Sequence, residues 1–561
     1  MTVLTKLALL VSFGLGLLLV EAKPVDVLLS SGTHVTGRSQ SGLDTFNGIP
    51  YALPPTGALR LRPPQRLPSG YLDNVDATGR AAACPQLLLS AADKDIIGQV
   101  GSKLLELPFL NQLTGQEDCL TISVQRPSNT APDAKLPVFF WIFGGGYTAG
   151  STSTYDGSSF LNEGIKNKQP FIFVAVNYRL NAFGFLSGAQ VHKDGSANLG
   201  LLDQRLGLEW VADNIANFGG DPDRVVLWGE SAGAFSVFYQ MALHGGNATY
   251  KGRPLFRGGI LNSGTGVPAE PVDGPKGQAV YDKVVREAGC ADASETLACL
   301  RSLDYETLHN AITDSFAGSL SYYGTKMSFL PRPDGNVLLA SPEDAAKTGQ
   351  YFAVPIIVGN QEDEGTLFSL FQRNITSDAE LVDYFHTNLI TDASKEQLSD
   401  WVSSYRNGHV GSPFRTSSTG GPYPMFKEIA AMLGDWSFIL ARRQFLQDIS
   451  SAHPDVPAWS YLSSYAHGLP VLGTSHASDL VQTFYGLSPT YATKSTRKYY
   501  LNFLYSLDPN SKTDGYKQWP RWQENKTLLW FETQFATSYL KDDFRSEQHD
   551  ALRELGNAGR Q

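Results

Sequence analysis

The residues Gly229-Glu230-Ser231-Ala232-Gly233 set a serine between two glycines. A hydroxyl is a weak nucleophile until a base takes its proton, so the pattern has meaning only in context. Val225 to Trp228 before it is a short apolar strand, and Ala232 to Leu243 after it has a helical pattern. Ser231 therefore falls on a strand-to-helix turn. There the backbones run too close for a β-carbon, which gives both glycines a physical task. The helix N-terminus behind Ser231 favours negative charge developing beside it. The chemistry this points to is acyl transfer through a covalent intermediate on Ser231.

Such chemistry needs donors for a tetrahedral oxyanion, and a glycine-rich loop leaving a strand can aim backbone N–H groups at one. Val138 to Phe143 runs directly into Gly144-Gly145-Gly146-Tyr147, so Gly145, Gly146 and Ala232 are the candidate donors. On a turn of this kind the acid follows the serine and the histidine follows the acid. Val354 to Val358 reads as a strand and leads into three acids, Glu362, Asp363 and Glu364, among which spacing does not choose. His386, His409, His453, His467, His476 and His549 all come late enough to be the base. His476 leads His467, because it sits in the compact polar turn Gly473-Thr-Ser-His-Ala-Ser-Asp479.

The elements that must position these groups alternate in type. Val138 to Phe143, Phe171 to Asn177, Val225 to Trp228, Gly259 to Asn262 and Val354 to Val358 read as buried strands. Leu206, Trp210, Val211, Ile215 and Phe218 recur near helical spacing between them. Strands apolar on both faces and separated by helices predict the α/β class, a mostly parallel sheet with helices on both faces. No period of 20 to 50 residues marks a repeat architecture. The Gly-, Ser-, Thr- and Pro-rich stretch from Gly408 to Pro424 is a linker or a long loop. Candidate residues lie on both sides of it, so one shared site makes it a loop within a single domain.

At the N-terminus, Lys6 precedes an apolar run from Leu7 to Val20 with small residues at its end, which reads as a signal peptide over residues 1–22. The expected mature chain starts near Lys23, is secreted and carries no transmembrane anchor. A net charge of −10, with no cluster of Lys and Arg, argues against a nucleic-acid partner. Four cysteines in an oxidising compartment suggest two disulfides. Three pairings are open. Cys84 with Cys119 and Cys290 with Cys299 is favoured, since the second pair closes a short loop and the first brackets an apolar segment. No spacing fits a metal site, and no cofactor is expected. Asn247, Asn374 and Asn525 begin glycosylation motifs.

Taken together the motifs resemble the type-B carboxylesterase and lipase family, closest to secreted fungal lipases of the Candida rugosa type. Phe46-Asn-Gly-Ile-Pro-Tyr-Ala, Glu117-Asp-Cys-Leu120, Gly144 to Gly146, Asn198-Leu-Gly-Leu-Leu-Asp203-Gln, Phe218-Gly-Gly-Asp-Pro222, Gly229 to Gly233, Asp363-Glu-Gly365 and Gly473-Thr-Ser-His476 occur in the family's order over most of the chain. The resemblance implies an α/β-hydrolase fold across residues 23–561. It also implies Ser231 as nucleophile, Glu364 as acid, His476 as base and Gly145, Gly146 and Ala232 as oxyanion hole, and it supports both disulfide pairings. The esterases often begin the glycine loop with His, where this chain has Phe143, as the fungal lipases do.

Between Cys84 and Cys119 the chain is rich in Leu and Ile, and Ile97, Val100 and Leu104 share a helix face. In the resembling lipases this loop, residues 84–119, is a lid that meets lipid. It contains neither Trp nor Tyr, which argues against a choline substrate. The expected activity is hydrolysis of lipid esters, triacylglycerols or sterol esters, with transient contact at a lipid interface. The alternatives are a carboxylesterase for small soluble esters, a serine peptidase on the same fold, and a non-catalytic binding relative.

Overall fold

The computed structural model describes residues 22–87, 115–318, 320–405, 421–485, 490–512 and 515–556. The expected signal peptide and all of the lid except its two ends lie outside these residues, as does most of the Gly408–Pro424 stretch.

Runs of Val, Ile and Phe make the strands that hold the site. In chain order these are β1 (Lys23–Leu28), β2 (His34–Gln40), β3 (Leu43–Pro50), β4 (Asn74–Asp76), β5 (Thr121–Pro127), β6 (Leu136–Ile142), β7 (Ile172–Val176) and β8 (Gly220–Glu230). There follow β9 (Thr249–Tyr250), β10 (Arg253–Pro254), β11 (Gly258–Asn262), β12 (Ile356–Gln361), β13 (Ala458–Ser463), β14 (Thr527–Phe531) and β15 (Ser538–Lys541). β9 and β10 form a small hairpin, and the others join one sheet in the order β1-β2-β3-β5-β7-β6-β8-β11-β12-β13-β14-β15, with β4 beside β2. From β7 to β14 every pairing is parallel. Antiparallel strands extend both sides, at β5–β7 and β14–β15. β7, β11 and β12 are buried along their whole length and β6 beyond Leu136, as strands covered by helices on both faces are.

Because β12, β13 and β14 continue the sheet begun by β1 to β8, segments on both sides of the Gly408–Pro424 stretch share one scaffold. Several strand boundaries differ from the sequence expectation: Val225–Trp228 lies within the longer β8, Gly220–Glu230, and the strand expected over Val138–Phe143 ends at Ile142. The strand expected over Val354–Val358 runs instead over Ile356–Gln361. Pro355 has no N–H to give the ladder, while Gly359 lets the strand continue beneath Tyr461, whose ring a β-carbon at Gly359 would meet at 2.2 Å. This shift carries the strand's end to the edge of the site.

Disulfides join Cys84 to Cys119 and Cys290 to Cys299. Buried ion pairs occupy several of the sequence motifs. Arg60 grips Glu117 through Nε at 2.5 Å and Nη2 at 2.7 Å, and Arg179 grips Asp203 through Nε at 2.8 Å and Nη2 at 2.7 Å. Both guanidinium forks meet a carboxylate edge on, the geometry that makes such pairs specific. Asn247, Asn374 and Asn525 are all exposed, as glycan attachment requires.

Candidate active site

Ser231 stands between the end of β8 and the helix Ala232–Gly246, with φ 56° and ψ −126°. A non-glycine residue in that region is strained, at a cost of about 1–3 kcal/mol, so the surroundings must impose it. They do so through backbone: a β-carbon on Gly229 would lie 2.2 Å from the Gly233 carbonyl oxygen, and one on Gly233 would lie 2.0 Å from that of Ile142. The Ser231 N–H donates to the Asn262 carbonyl on β11 at 2.9 Å, fixing the turn from the other side. Ala232 opens the helix, so its N–H has no carbonyl four residues earlier in the helix to bond.

The glycine loop lies directly against this turn. A β-carbon on Gly144 would come within 2.8 Å of the Ser231 Cβ, and Gly145 and Gly146 take φ values of 102° and 59°. Phe143, where esterases often carry His, turns away into the core. Its ring stacks on Tyr178 with centroids 4.5 Å apart, and the Tyr178 hydroxyl donates to the Phe143 carbonyl at 2.7 Å.

Among the three acids, the one in contact with a histidine is Glu364, whose Oε2 lies 2.6 Å from His476 Nδ1. Its other oxygen accepts from the Gln361 N–H at 2.8 Å and from the Asn360 side-chain amide at 3.3 Å. Asp363 has a different task. Its N–H donates to the Thr474 carbonyl at 3.0 Å and its Oδ2 accepts from the Thr474 N–H at 2.7 Å, while Thr366 donates to the Leu472 carbonyl at 2.7 Å. These bonds stitch the acid turn to the histidine turn. Glu362 continues toward β13, its N–H donating to the Ser463 carbonyl at 2.8 Å. His467 stays in its own turn, with Nδ1 2.8 Å from the Ser464 carbonyl. His386 and His453 likewise pair with nearby carbonyls, those of Ala393 and Gly349, and His549 lies within the C-terminal helix Ser546–Leu555, while His409 falls outside the described residues.

Glu230, the variable residue of the serine motif, carries a signal that sequence reasoning missed. Its carboxylate is buried and approaches His476 Nε2 at 3.3 Å, on the ring edge away from Glu364. Burial drives Glu230 up to about 8, against the pull of the imidazole. Burial pushes His476 the other way, but Glu230, Glu364 and Asp479 outweigh it and its pKa is raised. Asn262 was also unread. Its side-chain amide reaches Asp479 at 2.6 Å and the hydroxyls of Tyr461 and Tyr500 at 2.9 Å each, tying the serine turn to the segment behind His476. Burial raises Asp479 to about 6.

Ser231, Glu230, His476 and Gly144 to Gly146 all line one cleft. Beyond them its wall is mostly apolar, with Phe235, Val267, Leu320, Met327, Leu367 and Phe438, interrupted by Thr325, Lys326 and Ser437. The His476 ring sits between Phe438 and Phe368, with centroids 4.6 and 5.1 Å away. Among the described residues no group of three or more His, Cys, Asp or Glu could hold a metal ion.

A parallel sheet with a serine on the turn after a central strand, and an acid–histidine pair on later strand ends, defines an α/β-hydrolase. The solved structure of Aspergillus niger EstA matches with a TM-score of 0.78 at 26% identity, covering 96% of this chain and 99% of that one. The model of the carboxylesterase family matches residues 26–551, and the chain belongs to that family. It is 55% identical to the secreted triacylglycerol lipase LIP1 of Gibberella zeae, over 96% of this chain and 91% of that protein. It is 40% identical to lipase 4 of Diutina rugosa, over 98% of each. The protein is a carboxylic ester hydrolase.

Proposed function

We propose that the protein is a secreted triacylglycerol lipase that works through an acyl-enzyme on Ser231. The observation that carries this reading is the 2.6 Å contact of Glu364 with His476 Nδ1, at a cleft whose other polar edge is Ser231. His476 takes the Ser231 proton as Oγ attacks the ester carbonyl, and Glu364 fixes the imidazole tautomer and steadies its charged form. The oxyanion rests on the N–H groups of Gly145, Gly146 and Ala232. His476 then gives its proton to the departing alcohol, and a water that it deprotonates releases the acid.

Triacylglycerol as substrate is supported by the apolar cleft and by the printed activity of the Gibberella zeae relative. Among the described residues no helix is long and apolar enough to cross a membrane. The disulfide-bounded segment from Cys84 to Cys119, mostly outside the described residues, supplies the lid in this reading.

Hydrolysis of nitrophenyl butyrate and of emulsified triolein by wild type and Ser231→Ala tests the mechanism. The variant is expected to lose about a millionfold in kcat on both, by analogy with a triad serine in another hydrolase. Turnover like wild type would remove Ser231 from the mechanism. Activity on butyrate without any on triolein would leave an esterase and overturn the lipase reading.

A further inference from the structure

The carboxyl edge of the sheet presents more than the catalytic groups. β8, β12 and β13 run toward it and lead into the turns of Ser231, Glu364 and His476, and β14, parallel to β13, ends at the same edge. Two loops leave this edge side by side: residues 464–475, which lead into His476, and residues 532–537, which lead into β15. A bond from the Ser464 N–H to the Phe531 carbonyl at 2.9 Å, and one from Trp530 Nε1 to Ser464 Oγ at 2.7 Å, join their roots.

Each loop puts an apolar side chain into solvent: Leu469 is 54% exposed and Phe535 80%. The backbone holds them there. Leu469 donates its N–H to the Ala466 carbonyl at 2.9 Å and its own carbonyl accepts from the Gly473 N–H at 3.0 Å. Thr533 Oγ1 accepts from the N–H groups of Phe535 and Ala536 at 3.1 Å each. Neither tip has to be ordered before it is covered, which lowers the cost of binding. Single apolar residues on a surface are ordinary, but here charge is missing as well. In a chain that is 18% charged, no Asp, Glu, Lys or Arg occurs from Ser464 to Ser478 or from Thr533 to Leu540. A third exposed ring, Tyr323 at 43%, belongs to the segment whose Leu320, Gly324 and Thr325 line the cleft, and the Lys326 ammonium lies 5.9 Å from its centroid. A phenol beside a long-stemmed cation suits a boundary between oil and water.

We infer that Tyr323, Leu469 and Phe535 form an anchor by which an uncharged lipid surface, such as that of a triacylglycerol droplet, docks against the mouth of the cleft. This rests on the lipase reading. The occupant follows from place and charge. The loop bearing Leu469 leads into His476, a residue of the cleft wall, so a broad surface that covers its tip also meets the cleft. The two loop tips offer no charge to pair, and a net charge of −10 is repelled by an anionic bilayer, so the surface that fits is neutral.

All four cysteines are in disulfides, so a new thiol is a unique point for a label. Tyr323→Cys, Leu469→Cys and Phe535→Cys, each in a Ser231→Ala background and carrying an environment-sensitive nitrobenzoxadiazole group, are mixed with a triolein emulsion and with phosphatidylglycerol vesicles. The control is Ile165→Cys, at a residue 41% exposed on the helix Ser158–Lys166, which leads into the amino end of β7. Emission from positions 323, 469 and 535 is expected to move to shorter wavelength on triolein, while that from position 165 stays unchanged. No shift at 469 and 535, or an equal shift at 165, overturns the inference. So does a shift on the anionic vesicles alone, or one that grows with protein concentration when no lipid is present, which would make a second copy the occupant. In unlabelled protein, Leu469→Ser/Phe535→Ser should weaken adsorption to the emulsion by about tenfold or more, the scale of withdrawing large apolar side chains from contact, with the thermal midpoint reporting that the variant is folded. Adsorption equal to wild type overturns the anchor and leaves the lipase reading standing. Wild-type protein that neither adsorbs to triolein nor hydrolyses it overturns the lipase reading, and the anchor with it.

Discussion

At the scale of single residues, the histidine's two ring nitrogens explain most of the site's electrostatics. Glu364 holds Nδ1 from one side, and Glu230 meets Nε2 from the other, on the edge that must also receive the serine proton. A base must be neutral to act. Burial lowers the imidazole's proton affinity, the facing carboxylates raise it by more, and so the active neutral form is lost as pH falls through a pKa above the ordinary histidine value. Glu230→Gln removes one of those carboxylates with little change in shape. The acidic limb of a kcat/KM–pH profile is expected to move to lower pH, and an unmoved limb would mean that Glu230 carries no charge over that range. Glu364→Gln should cost far more, about ten-thousandfold in kcat, because an amide at that place stabilises the wrong tautomer. Steady-state rates on a soluble nitrophenyl ester measure both. The serine and its glycines were legible in the sequence because a strand, a tight turn and a helix leave strong local marks. Glu230 was not, because its role comes from an approach by a residue 246 positions away.

At the scale of elements, the acid and histidine turns belong to one unit, and this explains which candidates the fold selected. Spacing left Glu362, Asp363 and Glu364 equal, since alternate residues past a strand end differ only in what other segments they meet. The hydrogen bonds between Asp363 and Thr474 decide the matter: once Asp363 pairs with the histidine turn, Glu364 lies against His476. The helix Phe426–Gly434 closes the unit from behind, so tightly that a β-carbon on Gly365 would lie 1.8 Å from the Ala430 carbonyl. That contact is with backbone and has nowhere to give. Gly365→Ala is expected to destabilise the fold by about 1–3 kcal/mol or more, the usual cost of forcing atoms into a filled site, with a lowered thermal midpoint as the readout. Asp363→Ala instead should loosen the histidine turn, lowering kcat more than it changes KM on a short ester. The strand order and parallel sense were legible as a class from the buried apolar runs. The antiparallel extensions at β1, β2, β3 and β5 and at β15 were not, because mixed polar and apolar strands of that kind read as turns and edges.

At the scale of the whole molecule, the far end of the chain reaches the catalytic acid through buried charge. Asp542, just after β15, accepts from Arg442 Nη1 and Nη2 at 2.8 Å each, from Arg443 Nε at 3.1 Å and from Trp522 Nε1 at 2.9 Å. Arg442 continues inward, donating to Ser460 at 2.9 Å and to Asn360 Oδ1 at 2.9 Å, and the Asn360 amide in turn reaches Glu364. Burial would raise Asp542, but the two guanidinium groups hold its carboxyl below the ordinary carboxylate range. A group depressed in the folded state stabilises it above the unfolded value, near 3.9, and that contribution is lost as pH falls through the folded value. Deleting the carboxylate takes from the buried Arg442 and Arg443 the one anion that bonds both. Asp542→Ala should therefore cost about 3–5 kcal/mol, the price of an uncompensated buried charge. Asp542→Asn, which keeps acceptors but not the charge, should fall between. Urea unfolding at pH 7 gives both values, and repeating it near pH 3 should narrow the gap to wild type as the carboxylate of the unfolded chain takes up its proton. A variant equal to wild type at pH 7 would show that the arginines find solvent or other partners, and the link from the C-terminal edge to Glu364 would lose its energetic basis.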